Sequence, residues 1–489
     1  MPEATATPAS STGSEPSAPA PLMLSVSGCR GIVGRSLTPE VVCRYANAVA
    51  SWIAEARPAE RQGQPVTIVL GRDGRQSGAM VRDLVVGTLV ASGVRVIDLG
   101  VATTPTTGVA VDHFGADGAI ILTASHNPQQ WNGMKAVTSR GCAPPATAAD
   151  QIISRYRAGD TAFADFDRLG CVEADDTATH VHVARVLEAV SKVAPIESIR
   201  AQRFRVVINS VNASGSRGAK LLMDALGCEL VHLNDSTDGI FPHTPEPTEE
   251  NLRDMCSEVI RAGAVIGFAQ DPDADRLAII DAGGRYIGEE YTLALSAWAV
   301  LESMESTSGT RIATNLSTSR MVEDIAARYG ATVDRYAVGE ANLVDAMLAD
   351  RDHTPIGGEG NGGVVWPAIV PIRDSIGAMA LVLALMTRTG RSLSDLVDDI
   401  PSYAIVKRKQ PIRDGLADQA LKAVQTVLGP RAEKIDDSDG VRVDLKLASG
   451  GDAWVHVRPS NTEPILRLIA EAPTQAAANE LLDEVSSAI

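Results

Sequence analysis

Short apolar runs punctuate the chain, and many of them stop abruptly at a loop built from Gly, Asp, Asn or Pro. LSVSGCRGIVG (24–34) reads as a short strand entering a Gly-punctuated loop, and Thr38-Pro39-Glu40 as a helix start, with an N-cap, Pro at the first position and an acid in the first turn. That helix is predicted to run to about residue 56. VTIVLGRDGR (66–75) then reads as strand plus loop, 79–92 as helix, VRVIDLG (94–100) as strand, 105–115 as helix and AIIL (119–122) as a buried strand. Strands alternating with helices imply βαβ units and a mostly parallel sheet.

The pattern recurs. A second round comprises RVVINSVNASG (205–215), a helix to about 226, CELVHL (228–233), a helix from 248 to 262 and AVIGFAQDPDADRLAIID (264–281). A third comprises RIATNLSTS (311–319), a helix to about 329, ATVDRYAVG (331–339), a helix from 340 to 349 and PIGGEGNGGVV (355–365). From about residue 402 the pattern changes to KRKQPI, a helix near 415–428, VRVDLKL, AWVHVRPSNTEPILRLIAEA and a last helix. The expected architecture is α/β: three similar α/β/α domains with mixed sheets at 22–165, 175–283 and 284–398, then a smaller α+β domain at 402–489. A length of 489 residues suits several cores better than one. Residues 1–21, mostly Ala, Pro, Ser and Thr, read as a disordered tail without the apolar segment of a signal peptide.

Charge and cysteine usage narrow the class. A net charge of −17 argues against nucleic-acid or anionic-membrane partners, so an anionic substrate must be held by local Arg and Lys. The six cysteines (29, 43, 142, 171, 228, 256) form no C-x-x-C pair, as expected of reduced thiols in a cytoplasmic protein. No run approaches the length of a transmembrane helix.

The chemistry lies in the exit loops. TASHNPQQWNGMK (123–135) puts Ser125 and His126 at the carboxyl end of a strand, where open α/β sheets bind ligands, with Pro128 and Asn132-Gly133 predicted to stop any element from continuing. A nucleophile and a plain turn both fit. DPDADR (271–276) sets Asp271, Asp273 and Asp275 at alternating positions, able to converge on a hard cation; a solvated acidic turn is the alternative. An EF-hand is excluded, because Arg276 and Ala282 stand where Gly and Glu are required. GEGNGG (358–363) matches a dinucleotide fingerprint formally, but VVWP follows it instead of a helix; it remains a glycine-rich loop presenting Glu359 and Asn361, suited to sugar hydroxyls or simply a hairpin. RPSNTEP (458–464) offers Arg458, Ser460, Asn461 and Thr462 to a phosphate, or an ordinary turn between strands. Arg72, Asp73 and Arg75 in GRDGR read as loop ion pairing.

Taken in order, these motifs resemble one family, the α-D-phosphohexomutases: a serine loop at TASHNP, a metal loop at DPDADR, a sugar loop at 358–362, a phosphate loop at RPSNTEP and an opening segment at GCRGIVG (28–34). The resemblance covers about 24 to 489 and implies four domains around a central cleft. It implies that Ser125 is carried as phosphoserine, that Asp271, Asp273 and Asp275 hold Mg²⁺ with a phosphoserine oxygen, and that Glu359 and Asn361 contact the sugar. Arg458, Ser460, Asn461 and Thr462 would hold the non-reacting phosphate; Arg30, Lys135 and Arg276 are cations for the travelling charge, with His126 or Lys135 as base and Lys135 favoured. The partners implied are a hexose phosphate and its 1,6-bisphosphate, with no nucleic acid and no membrane, for a monomer or homodimer.

Departures bear on specificity. Many relatives follow the sugar-loop glutamate with Ser and His, where this chain has Asn361 and Gly363; VGEANL (338–343) lacks the His or Lys of many third-domain loops. Both features look more like archaeal-type phosphoglucosamine and broad phosphohexomutases, making glucosamine phosphate the first expectation and mannose or glucose phosphate the second. A metal-dependent sugar phosphatase and a silent sugar-phosphate-binding protein are the expectations from other classes.

Overall fold

The computed structural model describes residues 21–413, 415–460 and 465–489. Its first sheet has seven strands in the order Met23–Ser25, Gly28–Ile32, Trp131–Thr138, Gly118–Leu122, Val66–Arg72, Val94–Val101, Cys171–Ala174. Thr38 caps helix Pro39–Ala56 by accepting from the Val41 amide, and Val42, Tyr45, Val49 and Ile53 turn one face of that helix into the core. Gly118–Leu122 is buried throughout, parallel to Val66–Arg72 on one side and antiparallel to Trp131–Thr138 on the other.

That last strand corrects an expectation, because it runs straight through Asn132-Gly133. Gly133 sits opposite Arg30, and a Cβ there would lie 2.4 Å from the Cys29 carbonyl oxygen and 2.8 Å from that of Thr123. The glycine lets backbones crowd together inside a sheet; it does not turn the chain.

The second sheet orders Leu277–Asp281, Ile266–Gln270, Arg205–Asn209, Glu229–Leu233, and the third Thr332–Tyr336, Arg311–Asn315, Ile356–Glu359, Gly363–Trp366, Val370–Arg373. In each α/β sheet an inner strand that is parallel to one neighbour meets an antiparallel strand that follows it in sequence. The connections between those two strands are 123–130, 271–276 and 360–362, so the loops expected to carry the serine, the metal and the sugar occupy the same place in three related sheets. The second-round helix begins at Arg253 and not at 248; turns occupy the preceding residues, with Leu252 bonded back to Thr248 and Glu249.

Two helices with little polar patterning, Glu290–Ser303 and Ser375–Thr389, form the middle of the molecule. Ser375 through Met386 are all buried, and a helix enclosed on every side has no polar face for periodicity to reveal. One continuous apolar core joins Val109 of the first domain, Phe268 and Leu222 of the second, and Leu293, Ile312 and Leu381 of the third. Each such side chain contributes about 1.5–3 kcal/mol.

The C-terminal sheet is antiparallel throughout, ordered Ala404–Pro411, Ile465–Ala472, Asp452–Pro459, Val441–Lys446, Ala432–Asp436. Helices Ala417–Leu428 and Gln475–Ala488 cover it over Val424, Val443, Val455, Leu468 and Leu482. This domain holds the third through Arg320–Asp452 at 2.8 Å, Ser317 Oγ to His456 Nδ1 at 2.8 Å and the Val338 amide to Asp439 at 2.9 Å. Among the described residues, no helix is long and apolar enough to cross a membrane, and all six cysteines are free.

Candidate active site

Ser125 is 1 % exposed and holds a left-handed backbone, φ 50°. That conformation costs a side-chain-bearing residue about 1–2 kcal/mol and needs surroundings that enforce it. Thr123 Oγ1 accepts from the Ser125 amide at 2.8 Å while donating to Asp73 at 2.7 Å. The buried Arg75 guanidinium pairs with Asp73 at 3.0 Å and donates to the carbonyls of Ser125, Asn127 (2.7 Å), Pro128 (2.8 Å) and Trp131 (3.0 Å). The expected ion pair in GRDGR is therefore present, and the same arginine also shapes the serine loop.

The Ser125 hydroxyl donates to Asp271 Oδ2 at 2.9 Å. Asp271, Asp273 and Asp275 are completely buried, each with an oxygen within 4.8 Å of the others'. Ala274, at φ 54°, closes the turn by donating to the Asp271 carbonyl, which swings the alternate residues inward. Asp273 Oδ1 and Asp275 Oδ1 are buried without a hydrogen-bond donor. Three buried carboxylates with oxygens this close, two of them keeping an oxygen without a donor, are a donor set that suits a hard divalent cation. Burial, with the repulsion of Asp273 and Asp275, pushes the Asp271 carboxyl well above its ordinary range. For Asp275 burial acts in the same sense but is outweighed by Arg373, Lys135 and Arg276, so its carboxyl is held below that range.

Cations surround the triad. Lys135 donates to Asp273 Oδ2 at 2.5 Å and Asp275 Oδ2 at 3.1 Å; burial disfavours its charge, but the two carboxylates prevail and raise its pKa. The lysine weighed as a base is thus a pinned ammonium in this arrangement. Arg30 donates to Asn127 at 3.3 Å, and its Nε is buried without a partner; the Arg276 amide donates to Asp271 at 3.2 Å. His126 Nδ1 is 3.4 Å from Ser125 Oγ, and burial together with Arg276 and Arg30 pushes its pKa down to about 3, leaving a neutral ring.

The sugar loop reaches this cluster through a residue that sequence reasoning missed. Arg373 donates to Asp275 Oδ2 and to Glu359 Oε2, both at 2.7 Å. Glu359 Oε1 accepts from Asn315 at 2.9 Å, and Asn361 Oδ1 accepts from the Gly363 amide at 3.2 Å, closing the hairpin. Thr104 was also missed: its hydroxyl donates to Asp273 Oδ2 at 2.7 Å, and its amide to the Asp273 carbonyl at 2.9 Å. The signal for Arg373 was a lone charge ending the apolar strand Val370–Arg373, beside Asp374, which caps the next helix.

Arg458 belongs to a separate cluster, ion-paired with Asp439 at 3.0 Å in the C-terminal domain; the Ser460 amide donates to the Ile465 carbonyl at 2.9 Å. Asn461 and Thr462 lie outside the described residues.

Four family models match most of the chain in order. Residues 23–163, 182–284 and 288–403 match alpha/beta/alpha domains I, II and III of phosphoglucomutase/phosphomannomutase, and 403–488 match its C-terminal domain. A phosphoglucomutase/phosphomannomutase of Thermococcus kodakarensis is 35% identical over 93% of this chain and 96% of its own length. A phosphoglucosamine/phosphogalactosamine mutase of Sulfurisphaera tokodaii is 32% identical over 94% of this chain and 98% of its own. The crystal structure of a phosphoglucomutase/phosphomannomutase family protein from Burkholderia thailandensis superposes with a TM-score of 0.78 at 26% identity, covering 95% of this chain and 97% of that one. A buried serine on a carboxylate triad, set at equivalent hairpins of two α/β domains, thus coincides with full-length relatives, and the chain belongs to the α-D-phosphohexomutase family as a phosphosugar mutase.

Proposed function

We propose that the enzyme interconverts hexose 1-phosphates and 6-phosphates through a phosphoserine at Ser125 and a bisphosphorylated sugar. The observation that carries this reading is the Ser125 hydroxyl bonded to Asp271 inside a triad of carboxylates and ringed by Arg30, Arg276 and Lys135. In the first half-reaction the bond between Ser125 Oγ and phosphorus breaks as a sugar hydroxyl oxygen bonds to that phosphorus. The bisphosphate then turns over, and its other phosphoryl group passes to Oγ. Such transfers need alignment and charge neutralisation more than covalent help.

Asp271, Asp273 and Asp275, with an oxygen from the phosphoserine, would hold Mg²⁺, which when bound supplies Lewis-acid neutralisation of the phosphoryl oxygens. Arg30, Arg276 and Lys135 surround the same charge from the protein side. His126, a neutral ring 3.4 Å from Oγ, is assigned the proton transfer: it takes the proton of the attacking sugar hydroxyl and gives it to Oγ as the Oγ–phosphorus bond breaks. Glu359 and Asn361 orient the sugar hydroxyls, while Arg458, Ser460, Asn461 and Thr462 grip the phosphate that is not reacting. An enzyme with a net charge of −17 relies on these local cations to gather its anionic substrate, and we expect it to work in the cytoplasm as a monomer or homodimer.

Glucosamine phosphate is the substrate we favour, supported by the aminosugar specificity named for the Sulfurisphaera relative; broad action on glucose and mannose phosphates is the second reading, supported by the Thermococcus name. The test is turnover of glucosamine, glucose and mannose 1-phosphates by the same Mg²⁺-loaded protein with matching bisphosphate. A clear preference for glucosamine 1-phosphate upholds the first reading, and comparable rates on glucose and mannose replace it with the second.

A further inference from the structure

Each nitrogen of the Arg373 guanidinium faces a different carboxylate. Nη2 donates to Asp275 Oδ2 at 2.7 Å and Nη1 to Glu359 Oε2 at 2.7 Å, while Nε lies 3.2 Å from Glu340 Oε2 as an ion pair without a hydrogen bond. The Arg373 amide also donates to Glu340 Oε1 at 2.9 Å. These carboxylates come from three separate segments of two domains, a loop for Asp275, the end of strand Ile356–Glu359 for Glu359 and the start of helix Glu340–Ala349 for Glu340, and Arg373 itself is only 9 % exposed. A guanidinium is planar with donors in a fixed fork, so carboxylates bound to its different edges are fixed relative to one another.

The stem of Arg373 needs room to reach this position, and Gly363 supplies it. A Cβ at Gly363 would lie 2.2 Å from Arg373 Cδ and 3.0 Å from Cγ, in the space the arginine already fills, and 3.0 Å from Asn361 Oδ1. Gly363 and Arg373 lie on neighbouring antiparallel strands of the third sheet, where Val365 pairs with Arg373. The glycine of the sugar hairpin and the arginine of the next strand therefore form one device.

We propose that Arg373 is a positioning residue that locks the sugar-loop carboxylate Glu359 to the metal-loop carboxylate Asp275, and that Gly363 is glycine so that Arg373 can pass. The inference rests on the mutase reading of the site and adds to it a mechanical link: the group that orients the sugar and the group that holds the cation share one rigid partner. Metal affinity and sugar recognition are then not independent, and a change that tilts the guanidinium disturbs both. Loss of a partner that orients a metal ligand commonly costs about 10–100-fold in metal affinity or activity.

The test uses the full chain with Arg373→Lys and, independently, Gly363→Ala. Both keep the positive charge, which matters because deleting it would by itself draw a cation toward the aspartates. The readouts are Mn²⁺ affinity by titration calorimetry, KM and kcat for hexose 1-phosphate with Mg²⁺, and the thermal midpoint. The lock predicts that both variants, measured well below their midpoints, bind Mn²⁺ about 10–100-fold more weakly and show a raised KM together with a lowered kcat, Gly363→Ala less severely. A residue that only supports the fold would lower the midpoint while leaving Mn²⁺ affinity, KM and kcat of the folded protein unchanged, and that result overturns the lock. A loss of Mn²⁺ affinity with unchanged KM also overturns it, because the sugar loop would then be independent. If the parent protein turned over no hexose phosphate, the mutase reading would fall. The lock would then be judged by Mn²⁺ and by glucose 6-phosphate binding measured in the same calorimeter, where weakening of both sustains it and weakening of one or neither overturns it.

Discussion

The hydroxyl of Ser125 donates a 2.9 Å hydrogen bond to Oδ2 of Asp271 across 146 residues of sequence. Two loops from different domains, each at the exit of an equivalent strand, meet at that bond and bring a nucleophile-type oxygen against a cation-type triad. Removing the oxygen should remove the chemistry and little else. Ser125→Ala is expected to abolish turnover while hexose 6-phosphate still binds with nearly parental affinity, measured by calorimetry. Joint loss of turnover and binding, with a lowered thermal midpoint, would show damage to the loop and deny the serine its special role.

Arg75 holds three carbonyls of the serine loop and that of Trp131 at the start of the next strand, and pairs with the buried Asp73. Arg75→Met leaves that carboxylate buried without its counter-charge, a change that typically costs about 3–5 kcal/mol. We expect a lower thermal midpoint for the first domain and loss of activity together. A variant as stable as the parent would mean that the loop holds its shape without the guanidinium.

His456 joins the third and C-terminal domains, its Nε2 donating to the Asp439 carbonyl at 2.7 Å and its Nδ1 accepting from Ser317 at 2.8 Å. Burial is the main cause that lowers its pKa from 6.5 to about 4. The unfolded chain gains this proton near pH 6.5 and the folded one only near 4, so the contribution is intact above 6.5 and lost as pH falls through about 4. The effect is on the order of 3 kcal/mol at most. Thermal midpoints followed from pH 7 downward should fall less steeply for His456→Gln than for the parent; parallel curves would contradict the assignment.

Arg458, ion-paired with Asp439, is proposed to grip the phosphate that is not reacting. Hydrogen bonds to charged groups are worth about 1.5–3 kcal/mol, so Arg458→Ala should raise KM roughly 10- to 100-fold. The increase should be similar for glucosamine, glucose and mannose phosphates, because the phosphate is common to them. A rise confined to one sugar would count against the role.

The parts of this site that the sequence displays are those whose chemistry is contiguous. Asp271, Asp273 and Asp275 announce a cation site because alternating acids repel unless something neutralises them, and Ser125 stands out because a turn follows a fully buried strand. Arg75, Thr104 and Arg373 were illegible in their roles because each acts on a partner far away in the chain: Ser125 for the first, Asp273 for the second, Asp275 for the third. Strands such as Val66–Arg72 and Gly118–Leu122 were readable from their apolar runs. Helix Ser375–Thr389 was not, since burial on all sides erases its periodicity, and Trp131–Thr138 was hidden by an Asn-Gly pair serving close packing.

On the proposed reading Ser125 carries the phosphoryl group between substrate and product. That role is tested most directly by incubating the Mg²⁺-loaded protein with a hexose 1,6-bisphosphate, locating phosphate by peptide mass spectrometry, and then adding hexose 6-phosphate. Phosphate is expected on Ser125 alone; added hexose 6-phosphate takes it up as hexose 1,6-bisphosphate, and return of the 6-phosphoryl group to Ser125 releases hexose 1-phosphate with the phosphoserine regenerated. An unmodified Ser125 during active turnover, or discharge of its phosphate as inorganic phosphate without sugar product, would contradict it.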